Sequence, residues 1–232
     1  MLKLKKFKKS KHTKQFYKRL IGILLIIICC TVLINAFKAR SLTSSFTVLS
    51  RLTGQTSSTS TSATIVKPSI TEDLLTPNKY SRPQTKLKKV NSIVIHYVGN
   101  PGSTAQANRD YFESLAESGD TSASSHFVVG TDGTIIQCIP LNEISYASNN
   151  RNSDTISIEV CHPKVDGKFT TDTCNALTKL VAWLLDTYDL SKDDIIRHYD
   201  VTGKICPKYY VDHEDAWEKL KTQVWDYYQK NK

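Results

Sequence analysis

Three side chains of this 232-residue sequence have the types and spacing of a catalytic metal site. His96 follows an apolar run at residues 93–95, and His198 and Cys206 lie eight positions apart near the C-terminal end. Two histidines and one cysteine give a tetrahedral zinc three protein ligands and leave the fourth position for water, as in catalytic rather than structural zinc sites. The sequence therefore predicts a metal-dependent hydrolase.

Four segments occur in an order that resembles a known family. They are the apolar strand containing His96 and the residues 124–130, 157–160 and 197–207. Together they resemble the zinc-dependent N-acetylmuramoyl-L-alanine amidases of the amidase-2 group, whose fold is similar to that of peptidoglycan recognition proteins. The resemblance covers roughly residues 85–230. It implies Zn²⁺ as cofactor, peptidoglycan as substrate, and hydrolysis of the amide between N-acetylmuramic acid and L-alanine.

The resemblance also implies a role for each reactive side chain. His96, His198 and Cys206 would hold the zinc ion, which polarises the scissile carbonyl and acidifies a water molecule. Glu159 would accept a proton from that water, and the apolar residues at 156, 158 and 160 direct it to the opposite face of its strand. Lys204 would stabilise the oxyanion of the tetrahedral intermediate.

Two further stretches are expected to contact substrate. His126 resembles a family histidine near the substrate groove, and we expect it either to border the groove or to be structural. Many family members have a Trp-His-Ala-Gly segment after the following hairpin, whereas residues 144–150 here read Ile-Ser-Tyr-Ala-Ser-Asn-Asn. We expect Asn149, Asn150 and Arg151 to supply polar substrate contacts in place of the missing aromatic and imidazole groups.

Charge is divided unevenly along the chain. The formal net charge of +9 is accounted for by residues 1–19, which hold nine Lys or Arg and no acid. Residues 90–232 carry 13 basic and 20 acidic side chains, so this part is acidic. A nucleic-acid enzyme more often has a basic face on its domain. We therefore predict no nucleic-acid partner.

The N-terminal part of the sequence predicts membrane attachment. Residues 20–37 are uncharged and follow the basic segment, which is typical of a transmembrane helix whose basic end stays in the cytoplasm. A cleaved signal peptide is the alternative, because it has a similar pattern. We predict a cytoplasmic tail at 1–19, a signal-anchor helix at 20–37, a flexible Ser/Thr-rich linker at 38–84, and an extracellular zinc amidase domain at 85–232. The chain is expected to be monomeric.

Strand and helix patterns alternate along the predicted domain. Strand patterns lie at residues 90–98, 127–129, 134–139, 155–160 and 195–196. Helix patterns lie at residues 104–118, 171–188 and 213–228. The expected fold is α/β, with a mixed β-sheet and helices packed on its faces. Three prolines between residues 67 and 89 favour an extended segment at the edge of the domain.

Three cysteines of the predicted domain lie outside the metal site, namely Cys138, Cys161 and Cys174. An extracellular location permits disulfides, but the sequence does not fix which pair, if any, would form. At least one of the three would remain free.

Two other functions account for parts of the sequence. A non-catalytic peptidoglycan-binding sensor could use the same fold, although a sensor does not need Glu159, Lys204 and a thiol. A cell-wall cysteine peptidase could use Cys206 as nucleophile with His198 as base. Inactivation by a metal chelator and restoration by zinc would distinguish the amidase from the peptidase.

Overall fold

The computed structural model describes residues 64–232. The predicted cytoplasmic tail, the signal-anchor helix at 20–37 and most of the predicted linker lie outside these residues. In the described part, no helix combines the length and the apolar character needed to cross a membrane. The membrane anchor and the extracellular location therefore stay predictions.

A six-stranded mixed sheet forms the centre of the domain. Its strands are β1 (Thr71–Glu72), β2 (Ser92–Tyr97), β3 (Phe127–Val129), β4 (Ile135–Gln137), β5 (Thr155–Val160) and β6 (Ile195–Arg197). They lie in the order β1-β4-β3-β5-β2-β6. Only β3 and β4 pair antiparallel, while the other neighbours in this sheet are parallel. The prediction of a mixed sheet is confirmed, and β1 is a strand that the sequence pattern missed.

Helices cover both faces of the sheet. They are α1 (Ala105–Ser118), α2 (Thr171–Tyr188), α3 (His198–Thr202), α4 (Lys208–Asp212) and α5 (Glu214–Asn231). The three long helices were predicted, whereas the sequence patterns missed the short helices α3 and α4. Their sequences have too few residues to show a helical period of 3.6.

Alternation along the central strands separates two apolar clusters. Ile93 and Ile95 of β2 point to one face, where they pack in a large cluster with residues of α2 and α5 such as Leu180 and Trp217. The opposite face carries a smaller cluster that includes Phe112 of α1. Each large apolar side chain that is fully buried contributes about 1.5–3 kcal/mol, so the face covered by two helices supplies most of the hydrophobic stabilisation.

Helix α1 begins and ends where the sequence predicts. The hydroxyl of Thr104 accepts a hydrogen bond from the backbone N–H of Ala107, which satisfies one of the free donors of the first turn. Gly119 ends the helix with φ of 65°, a left-handed conformation that glycine adopts without steric cost. These two residues fix the length of the helix that lies beside the candidate site.

Residues 64–84 pack against the domain, as the prolines between residues 67 and 89 predicted for part of this stretch, although the predicted linker extended to residue 84. Leu75 is fully buried in the smaller apolar cluster. Arg82 and Glu143 form two hydrogen bonds of 2.9 Å each. The backbone N–H of Ile65 donates to the carboxylate of Asp186 at 3.1 Å. These contacts join residues far apart in sequence, which local composition does not reveal.

No disulfide forms among the described cysteines. Cys138 and Cys161 are buried free thiols, and Cys174 is a half-buried free thiol. The sequence left their pairing open, and the structure contains no disulfide between any two of them.

Candidate metal centre

The candidate site lies at the carboxyl edge of the parallel strands. His96 is near the end of β2, Glu159 is near the end of β5, and His198 follows β6 directly. His96 and Glu159 are register partners on neighbouring strands, so their side chains point to the same face of the sheet. Residues separated by as many as 102 positions are thus brought to one edge.

His96, His198 and Cys206 form a buried cluster of potential metal ligands. The Nδ1 atoms of the two histidines are 3.1 Å apart, and Cys206 Sγ is 3.9 Å from His96 Nδ1. The three ligand atoms all lie within 4.8 Å of one another. The structure therefore brings together the three side chains that the sequence predicts as ligands.

A turn after α3 returns the thiol to the two imidazoles. Gly203 ends the helix with φ of 77°, and its backbone N–H donates to the carbonyl of Tyr199. The backbone N–H of Tyr199 in turn donates to the carbonyl of Cys206 at 2.9 Å. A side chain at Gly203 would be strained in this left-handed conformation, which explains the glycine between the second and third ligand.

The spacing of the cluster fits a tetrahedral zinc ion. Zinc–nitrogen bonds of about 2.0–2.1 Å at a tetrahedral angle separate two ligand nitrogens by about 3.3 Å. A zinc–sulfur bond of about 2.3 Å separates the sulfur from a ligand nitrogen by about 3.6 Å. The observed separations of 3.1 Å and 3.9 Å differ from these values by a few tenths of an ångström. Two imidazoles and a thiolate are also donors that suit zinc.

Burial keeps the cluster uncharged when no cation is bound. The pKa of His96 lies well below its ordinary value because the imidazole is buried, and nearby His198 and Lys204 add to this effect. Burial also lowers the pKa of His198, again with a contribution from Lys204. Neutral imidazole is the form that binds a metal ion.

The thiol of Cys206 also needs a cation to ionise. Burial, together with the neighbouring Glu159, raises its pKa to about 12. Such a thiol is protonated at neutral pH and is a poor nucleophile, because the thiolate is the reactive form. A zinc ion would stabilise the thiolate. This environment favours a ligand role for Cys206 over the nucleophile of a cysteine peptidase.

Glu159 and Lys204 face the same cleft as the cluster. The cleft has a volume of about 340 Å³ and is also lined by Tyr97, Phe112 and Tyr146. Glu159 Oε2 is buried and has no hydrogen-bond partner in the described structure. Burial raises the pKa of Glu159 to about 8, although Lys204 opposes the shift. An unpartnered buried carboxyl oxygen is rare and costly, and it indicates a functional group.

Only one of the three polar residues expected to contact substrate lines the cleft. Asn149 lies at the cleft, and its Oδ1 accepts a hydrogen bond from His198 Nε2 at 2.9 Å. Arg151 instead pairs with Asp154 at 2.8 Å and with Ser92, because the loop turns towards the amino-terminal edge of the sheet. Asn150 is exposed outside the cleft lining. The structure thus places Asn149 at the cleft and Asn150 and Arg151 outside its lining, and their contacts with substrate stay predictions.

His126 is structural rather than substrate-facing. Its side chain is fully buried, and its Nε2 donates to the carbonyl oxygen of Glu143 at 2.9 Å. Its Nδ1 therefore accepts a hydrogen bond, and the backbone N–H of Ser157 lies 3.1 Å away. Both ring nitrogens are used within the fold. Of the two roles expected for this histidine, the structure favours the structural one and corrects its assignment to substrate binding.

Burial of His126 predicts a pH-dependent stability. Its pKa is lowered to about 4 by burial, whereas the unfolded chain has the ordinary value near 6.5. The unfolded state therefore takes up a proton first as pH falls, and the stability present above pH 6.5 is lost towards pH 4, by about 3 kcal/mol at most. Urea unfolding at several pH values between 7.5 and 4.5 measures this loss as a decrease in the free energy of unfolding. His126→Gln should flatten the profile, and equal slopes in both proteins would contradict the assignment.

Ser148 is a site residue that the sequence analysis missed. Its side chain is buried, and its Oγ lies 3.2 Å from Nε2 of His96. The two residues are 52 positions apart, and no motif links them. The only signal in the sequence was the departure from the family pattern at residues 144–150.

Comparison with known proteins agrees with this geometry. Residues 86–209 match the family model described as N-acetylmuramoyl-L-alanine amidase. The N-acetylmuramoyl-L-alanine amidase CwlL of Bacillus licheniformis is 36% identical over 169 residues, which cover 67% of this chain and 46% of CwlL. BlyA of Bacillus subtilis (strain 168), which carries the same enzyme name, is 33% identical over 175 residues that cover 66% of this chain and 46% of BlyA.

A solved structure shows the same fold. The catalytic domain of XlyA superposes with a TM-score of 0.57 at 26% sequence identity, covering 68% of this chain and 99% of that domain. The chain spans about half the length of the two curated relatives. The family match extends over more than half of the sequence and includes His96, Glu159, His198 and Cys206. On this evidence from sequence and fold, the chain belongs to the N-acetylmuramoyl-L-alanine amidase family.

Proposed function

We propose that this chain is a zinc-dependent hydrolase of peptidoglycan that cleaves the amide bond between N-acetylmuramic acid and L-alanine. The observation that carries the proposal is the convergence of three zinc-type ligands with a buried, unpartnered carboxyl group in one cleft. Membership of the amidase family supports the choice of bond and polymer. The names of the curated relatives describe the same activity for those proteins.

The metal would be held by His96, His198 and Cys206. When bound there, zinc supplies a Lewis acid that polarises a carbonyl oxygen and makes a water molecule more acidic. The lowered pKa values of both histidines favour the neutral imidazole, which is the form that binds a metal ion. Ligands from a strand end, a helix start and a loop enclose one side of the site and leave the cleft side open.

Glu159 is the group that would move protons. Its carboxyl group is within the cleft and has no competing hydrogen-bond donor at Oε2. Because the pKa of Glu159 is raised to about 8, both its protonated and its ionised form are populated near neutral pH. A bound cation would favour the ionised carboxylate. Glu159 can therefore take a proton from water and return it to the leaving nitrogen.

Lys204 would stabilise charge on the substrate. Its side chain is exposed, lines the cleft and lies two residues before Cys206. A fixed ammonium group at this position offsets the negative charge that develops on the carbonyl oxygen in the transition state. The aromatic side chains of Tyr97 and Tyr146 also line the cleft.

Digestion of purified peptidoglycan tests the proposed bond. Incubation with the zinc-loaded chain should release peptides with a free L-alanine amino group and leave glycan strands with an unsubstituted lactyl carboxyl group, as measured by mass spectrometry. A chelator should stop the release and added zinc should restore it. Cleavage within the peptide that survives chelation would favour the cysteine peptidase, and binding without any cleavage would favour the sensor.

A further inference from the structure

We propose that Ser148 and Asn149 are positioning residues that hold both metal-binding histidines by their outer nitrogens. This inference rests on the proposed zinc site and names residues that act on its ligands. The two residues are consecutive, yet one contacts His96 Nε2 at 3.2 Å and the other contacts His198 Nε2 at 2.9 Å. One short loop thus supports two ligands, one from strand β2 and one from the start of helix α3.

The loop is itself held by the chain that follows it. Asn152 Oδ1 accepts hydrogen bonds from the backbone N–H groups of Ala147 at 3.1 Å and Ser148 at 2.6 Å. A 3₁₀ turn at Asn149–Arg151 continues the loop, and the backbone N–H of Arg151 donates to the carbonyl of Ser148 at 2.9 Å. The backbone of both residues is therefore fixed before any metal binds.

Asn149 selects one tautomer of His198. The carbonyl oxygen of an asparagine side chain can only accept a hydrogen bond, so His198 Nε2 must carry the proton. A neutral imidazole with its proton on Nε2 has its lone pair on Nδ1, which is the atom that faces His96 and the cluster. The amide of Asn149 thus keeps His198 in the tautomer that can bind a metal ion through Nδ1, even when no metal is bound.

Ser148 can serve His96 in two states because a hydroxyl both donates and accepts. Without metal, Nδ1 of His198 carries a lone pair, so His96 Nδ1 donates across the 3.1 Å contact and its Nε2 accepts from Ser148. With metal, Nδ1 of His96 must offer its lone pair, and the proton on Nε2 then points to the Ser148 oxygen. The four side chains form one directed chain of hydrogen bonds in the metal-free state.

The backbone at Asn149 also favours this residue type. Its φ is 52°, a left-handed conformation that asparagine, aspartate and glycine adopt more readily than other residues. Asn149→Gly therefore removes the amide without adding strain, and Asn149→Asp restores an acceptor oxygen at the same place. Partners of this type on a metal-binding histidine typically change metal affinity by about 10- to 100-fold.

Zinc affinity of the full chain in detergent tests the inference. In a competition titration with a chromophoric chelator, Asn149→Gly should bind zinc about 10- to 100-fold more weakly, while Asn149→Asp should stay within about threefold of the unmodified chain. Ser148→Ala should also weaken binding. Ser153→Ala is the matched control, since this residue is exposed on the same loop and lies outside the cleft lining. Its affinity should not change.

The histidine tautomers give a second readout that needs neither metal nor substrate. Long-range proton–nitrogen correlation spectra of the chain labelled with ¹⁵N in histidine should show the metal-free His198 with its proton on Nε2. Asn149→Asp should keep this tautomer, and Asn149→Gly should reduce its population. If Asn149→Gly failed to fold, its histidine signals would lose their dispersion. A folded Asn149→Gly keeps dispersed signals, so a change of tautomer can be told apart from unfolding.

Two results would overturn the inference. One is an Asn149→Gly chain with zinc affinity within about twofold of the unmodified chain, or an Asn149→Asp chain as weak as the glycine variant. The other is a metal-free His198 with its proton on Nδ1. If the chain bound zinc as described but left peptidoglycan intact, the positioning role would stand and the proposed function would fail.

Discussion

Glu159→Gln should lower the turnover of peptidoglycan by roughly 100-fold or more while the protein keeps its zinc. Glutamine has the shape of glutamate but cannot accept a proton from water at neutral pH. No hydrogen bond holds Glu159 Oε2 in the described structure, so the substitution removes none there. The measurement combines the initial rate of release of L-alanine amino groups with the metal content of the purified protein.

A matched control separates this effect from a general loss of charge. Glu117 is an exposed residue of α1, outside the cleft lining, and Glu117→Gln should leave turnover unchanged. Near-native turnover of Glu159→Gln would show that another group accepts the proton. The assigned mechanism would then be abandoned, although the proposed ligand set would remain.

Cys206→Ala should abolish both zinc binding and activity. The variant keeps two imidazoles, and a site with two ligands loses most of its affinity because each ligand contributes to holding the ion. Metal analysis after dialysis should find about one equivalent in the unmodified chain and nearly none in the variant. Loss of the ion should also lower the unfolding temperature, since bound metal stabilises the folded state.

Cys174→Ala is the control for removal of a thiol. Cys174 is half-buried, its Sγ lies 3.8 Å from the Tyr210 hydroxyl, and it is outside the candidate metal cluster. This variant should keep its zinc and its activity. A full equivalent of zinc in Cys206→Ala would exclude the ligand set of His96, His198 and Cys206.

The sequence predicted the parts of the fold that depend on local periodicity. The alternation at residues 155–160 placed β5 correctly, and the cap and glycine around α1 placed that helix. The meeting of His96, Glu159 and His198 was also predictable, because all three come near the carboxyl ends of parallel strands. A resemblance over several segments then selected these residues from the other histidines and acids.

The errors concern contacts that local sequence does not encode. Arg151 was expected at the substrate, but the path of its loop is set by Asp154 and Ser92, the latter 59 positions away. The buried position of His126 depends on Ser157 and on the carbonyl of Glu143. Residues 67–84 were expected as an extended segment at the domain edge, yet Leu75 is fully buried by residues far along the chain. Such contacts become visible only when the strands are assembled.

The hydrogen bond between Ile65 and Asp186 determines how far from the cleft the chain enters the domain. Helix α2 starts beside the turn between β3 and β4 at the carboxyl edge, where Thr173 donates to the carbonyl of Gly130, and Asp186 lies near its opposite end. Its 18 residues span about 27 Å, so the chain enters the domain on the side away from the cleft.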